Sequence, residues 1–355
     1  MSLDNLRGKI DEIDAKIVDL IGERIKIAEE IGRGKKQQNK LVEDEERELR
    51  VLKNVRSIAS DKNINQTDIE NIYRQIMDAC KNIQGVAVAF QGKIGAYSEE
   101  AALRFFGAST QTQPYESLDE VFELVENGAI PFGVVPIENS LEGSISRVYD
   151  LMLDSSLMVC GEVDIRISHC LIAGANVGLD SIRRVYSHPQ ALAQCRSFLS
   201  HLNCELIPAS DTAGSVAMIK DLGLTDSAAI ASARAAEFYG MKIIAREIED
   251  NKHNYTRFFI LSREDSPPSG DDKTSIVCSV KHEPGTLYRS LKAFAARNIN
   301  ITKVESRPTR QRPWEYNFYL EFAGHRQDKE AAEALKELAE TCIFVKVLGS
   351  YPRAK

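Results

Sequence analysis

Over its first 84 residues the chain repeats apolar side chains at i, i+3 and i+4, without proline and with little glycine, the period of an amphipathic helix. Leu3, Leu6, Ile10, Ile13, Ile17, Leu20, Ile27 and Ile31 form one stripe, which predicts a first helix of more than about 30 residues, a length that needs a partner helix along its face. A second helix is predicted from about Glu43 to Ala59. A third opens at Thr67, with Glu70 three positions later in the pattern of a capping box.

After Gly85 the period changes. Val86 to Phe90 reads as a short buried strand, followed by the glycine-bearing loop QGKIGAYS and a helix from Glu99. The same strand, polar loop, helix unit recurs at 132–140, 184–190, 206–212 and 228–232. Such repetition predicts an α/β domain with a mainly parallel sheet, whose ligands lie at the carboxyl ends of the strands. The polar stretch REDSPPSGDD marks a boundary. Beyond it the order strand, helix, strand, strand, helix, strand is that of a ferredoxin-like module. The expected parts are 1–84, 86–263, a linker at 264–272, and 273–355.

Charge and composition narrow the function. A net charge of −7 gives no global field for nucleic acid, and no apolar run reaches the roughly 20 residues of a membrane span. The amino terminus lacks the pattern of a signal peptide, so a cytoplasmic protein is expected. Seven cysteines without a CxxC, and six histidines without a ligand-like spacing, argue against a disulfide framework and a metal site.

Arg24 falls on the apolar line of the first helix and Lys35 continues it. Cations facing a core require anionic partners. Structural salt bridges with Asp44 and Glu48 of the second helix are one answer, and a bound dianion is another. Arg7 and Arg24 stand about 25 Å apart along one helix, so both reach one small ligand only if Arg7 comes from a second chain. Arg7, Arg24, Lys35, Asp44, Arg47, Glu48 and Gln84 resemble, in order and spacing, the functional residues of the all-helical chorismate mutases, with Cys80 where that family commonly has serine. The resemblance implies rearrangement of chorismate to prephenate in a dimer. Arg7 and Arg24 would grip carboxylates, Lys35 and Gln84 the ether oxygen, Asp44 or Glu48 the ring hydroxyl, with Arg47 and Cys80 also in the site. The reaction needs folding of the substrate and donors for developing charge, and no cofactor.

In HNYTRFFIL, residues 253–261, a hydroxyl and a guanidinium open an apolar strand. Taken alone, Thr256 capping a turn and Arg257 snorkelling would explain it. The segments GKIGAYSEEAA, VPIENSLEGSI, YSHPQALAQC, DTAG and NYTRF resemble, together and in this order, the prephenate dehydratases. That resemblance makes Thr256 and Arg257 catalytic, with Phe258 beside them. It implies a two-lobed, periplasmic-binding-protein-like α/β domain that dehydrates and decarboxylates prephenate to phenylpyruvate. Helix starts at Ser98, Ser140, Pro189 and Thr212 would supply donors for carboxylates, although plain helix capping also accounts for Ser98 and Ser140. Glu138, Asn139 and His188 join the substrate site, and Glu138 or a water is the candidate proton source.

EPGTLYRSL and ESRPTRQRPWEYNFYLEF resemble the ACT modules of these dehydratases. The implied effector is L-phenylalanine, a feedback inhibitor held by Gly285, Thr286, Leu287, Glu305, Ser306, Arg307 and Pro308 at a dimer interface. The whole chain thus resembles the bifunctional chorismate mutase/prephenate dehydratases, as a homodimer or dimer of dimers with no cofactor, metal, nucleic acid or membrane partner. A solute-binding protein and a dehydratase whose helices only dimerise are the competing readings.

Overall fold

The computed structural model describes residues 3–37, 45–62, 64–84, 86–281, 283–309 and 314–354, with the side chains at 3–4, 29, 32–37, 45–48 and 78–84 outside that description. Asp44 and the side chains of Lys35, Arg47, Glu48, Cys80 and Gln84, all expected in the mutase site, fall outside the described residues.

The first part is the helices Leu3–Gln37, Glu45–Asp61 and Gln66–Gln84, the third packed against the other two. Ala28, Leu52, Val55, Ala59 and Met77 are among its buried residues. The stripe of the first helix is different: Leu6, Ile10, Ile13, Ile17, Leu20, Ile27 and Ile31 each remain 47 to 63% exposed in the single chain. The expected capping box does not form. Asn65 Oδ1 accepts from the backbone N–H of Thr67 (2.9 Å) and Asp68 (3.4 Å), and Glu70 is taken by Arg74 (2.6 Å) and Arg56.

The α/β part contains two sheets, as the two-lobed expectation implied, although the strand and loop repeats alone suggested a mainly parallel sheet. The first runs Gln111–Tyr115, Ala87–Gln91, Phe132–Asn139, Tyr255–Ser262, Met158–Arg166, with Gly143–Ser144 folded back on Phe132–Asn139. Tyr255–Ser262 inserts antiparallel between its neighbours. The second runs Lys242–Ala245, Cys170–Ala173, Ser227–Ala231, Arg184–Ser187, Glu205–Pro208, the last three parallel. Ala228, Ala229, Ile230 and Ala231 are fully buried, their small side chains admitting the helices Thr212–Asp221 and Ala233–Tyr239. The chain crosses between the sheets at 167–169 and again at 246–254, so His169 and Asn254 both stand at the junction of the lobes.

The last part is Asp272–Val280, Thr286–Ala295, Ile301–Pro308, Tyr316–Ala323, Lys329–Thr341 and Cys342–Pro352, with a fully antiparallel sheet. Ile276, Cys278, Phe294, Leu320, Phe322 and Leu338 form its core. It packs against the first sheet. An added Cβ at Gly349 (φ +150°) would come 2.2 Å from Val159 O, so this backbone approach requires glycine. The linker is pinned on both sides: Ser266 N–H donates to Ser350 O (3.1 Å) and its hydroxyl to Cys160 O (2.6 Å).

Candidate active site

Strand alternation decides which side chains reach the cleft. Arg257 pairs with Glu138, but Phe258 pairs with Pro136, leaving Ile137 as a bulge. Thr256, Phe258, Pro136 and Asn139 consequently line one side of a cleft of about 820 Å³, faced from the second lobe by His188, Gln190, Gln194 and Thr212. Arg257 turns to the opposite face, as a period of two requires, and the bulge places both Ile137 and Glu138 on that face with it.

A directed chain of hydrogen bonds runs along the cleft floor. The backbone N–H groups of Leu141 and Glu142 both meet Asn139 Oδ1 at 3.0 Å. Only an oxygen accepts from two N–H groups, so the Asn139 nitrogen must point the other way, to Asn254 Oδ1 (2.7 Å) and Thr256 Oγ1 (3.0 Å). Asn254 Nδ2 then donates to Gln194 Oε1 (3.1 Å). His169 Nε2 lies 3.0 Å from that same oxygen, which makes it the protonated ring nitrogen, while Nδ1 lies 3.1 Å from the Tyr97 hydroxyl. Burial lowers the His169 pKa, consistent with a neutral ring. Two donors are left for a ligand: the Thr256 hydroxyl hydrogen, since its oxygen already accepts from Asn139, and the Gln194 NH2 group. Among the described residues neither donor meets a protein acceptor. The motif YSHPQALAQC contains Gln194, yet sequence reasoning selected only His188 from it. Gln194, His169, Tyr97 and Asn254 are additions from the structure.

Arg257 was expected to face substrate. Instead its Nη1 lies 2.6 Å from Glu321 of the attached module and 3.1 Å from Glu162, and its Nη2 3.0 Å from Glu138. Lys273 reaches Glu162 (2.9 Å) and Lys303 reaches Glu138 (2.7 Å). Three cations thus balance three carboxylates. Burial disfavours the Arg257 charge, but the Glu321 carboxylate outweighs it and raises the pKa above the ordinary arginine value. Glu321 is correspondingly held below the usual carboxylate range. Glu138, expected in the substrate site, lies on this face with Arg257 and Lys303 and does not line the cleft.

Ser98 and Thr212 line the cleft near the starts of the helices Tyr97–Phe106 and Thr212–Asp221, the latter capped by Asp211. His188 also lines it, and its Nδ1 accepts from Gln190 N–H (3.3 Å). No helix begins at Ser140. It lies in a hairpin, where its hydroxyl donates to His253 O (3.2 Å) and accepts from Tyr255 N–H (2.9 Å). A larger concavity of about 1090 Å³ behind Tyr97 is lined by Glu100, Glu237 and Glu247 beside Arg166, Arg234 and Arg246, and the first two arginines are paired with Glu247 (2.8 Å) and Glu99 (2.9 Å).

In the third part, Gly285, Thr286 and Leu287 line a pocket of about 390 Å³ with Tyr288, Phe318 and Ile343. Gly285 has φ +80°, where any other residue is strained. Glu305 and Arg307, expected in this pocket, project into the dehydratase lobe: Ser144 donates to Glu305 (3.0 Å) and Arg307 to Ser146 Oγ (2.8 Å). Ser306 and Pro308 alternate outward, away from that lobe, and neither lines the pocket. In the helical part, Arg7 is exposed and Arg24 half-buried on the same helix. Among the described residues no cluster suits a metal ion, and no helix is long and apolar enough to cross a membrane.

Two α/β lobes with donors converging on one cleft, and a βαββαβ module on the back of the first sheet, define a two-lobed enzyme with an attached sensor-like module. Residues 6–85 match the family model of chorismate mutase type II, 88–266 that of prephenate dehydratase, and 274–340 that of the ACT domain. The bifunctional chorismate mutase/prephenate dehydratase of Stutzerimonas stutzeri is 39% identical over 98% of this chain and 97% of its own. The chloroplastic arogenate dehydratase/prephenate dehydratase 2 of Arabidopsis thaliana is 44% identical over 78% and 76%. Among solved structures, prephenate dehydratase from Arthrobacter aurescens in complex with L-Phe aligns with a TM-score of 0.70 at 32% identity, over 76% of this chain and 90% of its own. GqqA, described as a novel type of quorum quenching acylase, aligns with a TM-score of 0.70 at 33% identity, over 75% and 97%. The chain belongs to the bifunctional chorismate mutase/prephenate dehydratase family, and it carries both activities, with chorismate and prephenate as substrates.

Proposed function

We propose that the chain converts chorismate through prephenate to phenylpyruvate for L-phenylalanine synthesis, and that Thr256 and Gln194 perform the second step. The ring carboxylate leaves as carbon dioxide, its C–C electron pair enters the ring, and the ring C–O bond breaks with its pair on oxygen. One proton then completes water. The oxygen needs donors as it departs. The directed chain from Asn139 leaves two donors facing the cleft, Thr256 O–H and Gln194 NH2, and this observation carries the reading. The starts of the helices Tyr97–Phe106 and Thr212–Asp221 face the same cleft and suit the carboxylates. Prephenate, made by the chain's own mutase, is favoured over arogenate.

L-phenylalanine in the pocket beside Gly285 is the proposed feedback inhibitor, supported by the L-Phe in the Arthrobacter relative. A homodimer in which a second copy covers the exposed stripe of the first helix would also bring in the partner's Arg7 beside Arg24. A cytoplasmic location fits enzymes whose dianionic substrates do not cross membranes unaided. The test of the dehydratase reading is the rate on added prephenate: Thr256→Ala and Gln194→Ala each lose activity, and wild-type rates in both would refute it.

A further inference from the structure

We infer that His169 is a positioning residue of the dehydratase site: it holds the Gln194 amide with its NH2 group turned to the cleft. The inference rests on the reading of Gln194 as a donor to substrate. Gln194 is half-buried, comes from a helix of only 6 residues, and is free to rotate at its amide. Turned over, that amide would present its carbonyl oxygen to a departing hydroxide and an anionic substrate. Two lone pairs on Oε1 give the means to prevent this. Asn254 Nδ2 occupies one at 3.1 Å and His169 Nε2–H the other at 3.0 Å.

The histidine is itself constrained. It is 2% exposed, its backbone N–H donates to Glu249 (2.9 Å), and that carboxylate is held by Arg166 (3.1 Å). The Tyr97 ring stands edge-on to it, with centroids 5.9 Å apart. The Tyr97 hydroxyl donates to Ser168 O (2.8 Å) and lies 3.1 Å from Nδ1, so it is the Gln194 oxygen, already assigned by the Asn254 donor, that keeps the ring proton on Nε2. With the proton on Nδ1, two lone pairs would face each other at the Gln194 contact. His169 is thus a buried titratable group whose Nε2 is committed to the Gln194 oxygen.

Dehydratase kinetics on added prephenate, with the full chain, test this in Gln194→Ala, His169→Ala, the double variant and His169→Gln. Loss of one donor is expected to lower kcat about 100-fold in Gln194→Ala and about tenfold or more in His169→Ala, with KM changing little. The double variant is expected to be no slower than Gln194→Ala alone, because residues acting through one group are not additive. His169→Gln, whose amide N–H reaches the place of Nε2–H, should recover most of the rate. Additive losses, or a wild-type rate in His169→Ala beside an impaired Gln194→Ala, would overturn the inference. A wild-type rate in Gln194→Ala would instead overturn the reading of Gln194, and the inference with it. If His169→Ala fails to fold, imidazole 15N shifts of the wild-type protein decide the matter: a neutral Nε2–H ring is expected, and an Nδ1–H ring contradicts the proposal.

Discussion

Thr256 and Arg257 are consecutive on one strand and serve opposite faces of it: the Thr256 hydroxyl accepts from Asn139 at the cleft, and the Arg257 guanidinium lies 2.6 Å from Glu321 of the attached module. The strand that presents a cleft donor is therefore the strand that the ACT module grips. A shift of Glu321 bears on the Thr256 backbone with no intervening element.

Removing Arg257 leaves Glu162 and Glu321 buried with less compensation, so Arg257→Ala should destabilise the dehydratase and ACT parts by about 3–5 kcal/mol, while Arg257→Met combined with Glu321→Leu should cost less than either single change. Chemical denaturation measures both. An undisturbed stability in Arg257→Ala would contradict the account of the cluster.

The same cluster sets a pH dependence. The Glu321 pKa is lowered: burial pushes it up, but the Arg257 hydrogen bond and charge prevail. A carboxylate depressed in the folded state adds stability that is fully present above its unfolded pKa of about 4.5 and is lost as pH falls through the folded value. Unfolding free energy should accordingly fall as pH drops below about 4.5, and less steeply in Glu321→Gln. Identical slopes in the two proteins would contradict this.

If a second copy covers the long helix, Ile13→Glu together with Ile17→Glu should shift sedimentation toward the monomer. Chorismate turnover should fall with it, by about tenfold or more if a positioned partner arginine is lost, and added prephenate should still be consumed. A variant that stays dimeric, or keeps full mutase activity as a monomer, would remove the argument that Arg7 acts across chains.

L-phenylalanine at sub-millimolar levels should lower dehydratase activity, as its proposed pocket lies in the module that holds Arg257. A flat dose response in the purified protein would contradict the feedback reading.

The helix period, the strand and loop units and the βαββαβ order were legible because each is local: a stripe such as Leu6 to Ile31 or an apolar run such as Val86 to Phe90 reports its own element. Thr256 and Phe258 line the cleft to which their motif pointed, while Arg257 faces away from it because a strand cannot aim adjacent side chains the same way. Glu70 matched a capping box by spacing, but the sequence gives no sign that Arg56 and Arg74 claim it. The chain linking Asn139, Asn254, Gln194 and His169 was hidden for a different reason. Its members come from both lobes and both crossovers, and only the fold brings them together. Glu305 and Arg307 were likewise read within their own module, although they face its neighbour.

The most direct measurement follows chorismate loss and phenylpyruvate formation separately in wild type and Thr256→Ala. The account predicts that wild type forms phenylpyruvate from chorismate, while the variant consumes chorismate at the wild-type rate and accumulates prephenate. Phenylpyruvate formation at the wild-type rate in Thr256→Ala would contradict the claim that this hydroxyl serves the departing oxygen.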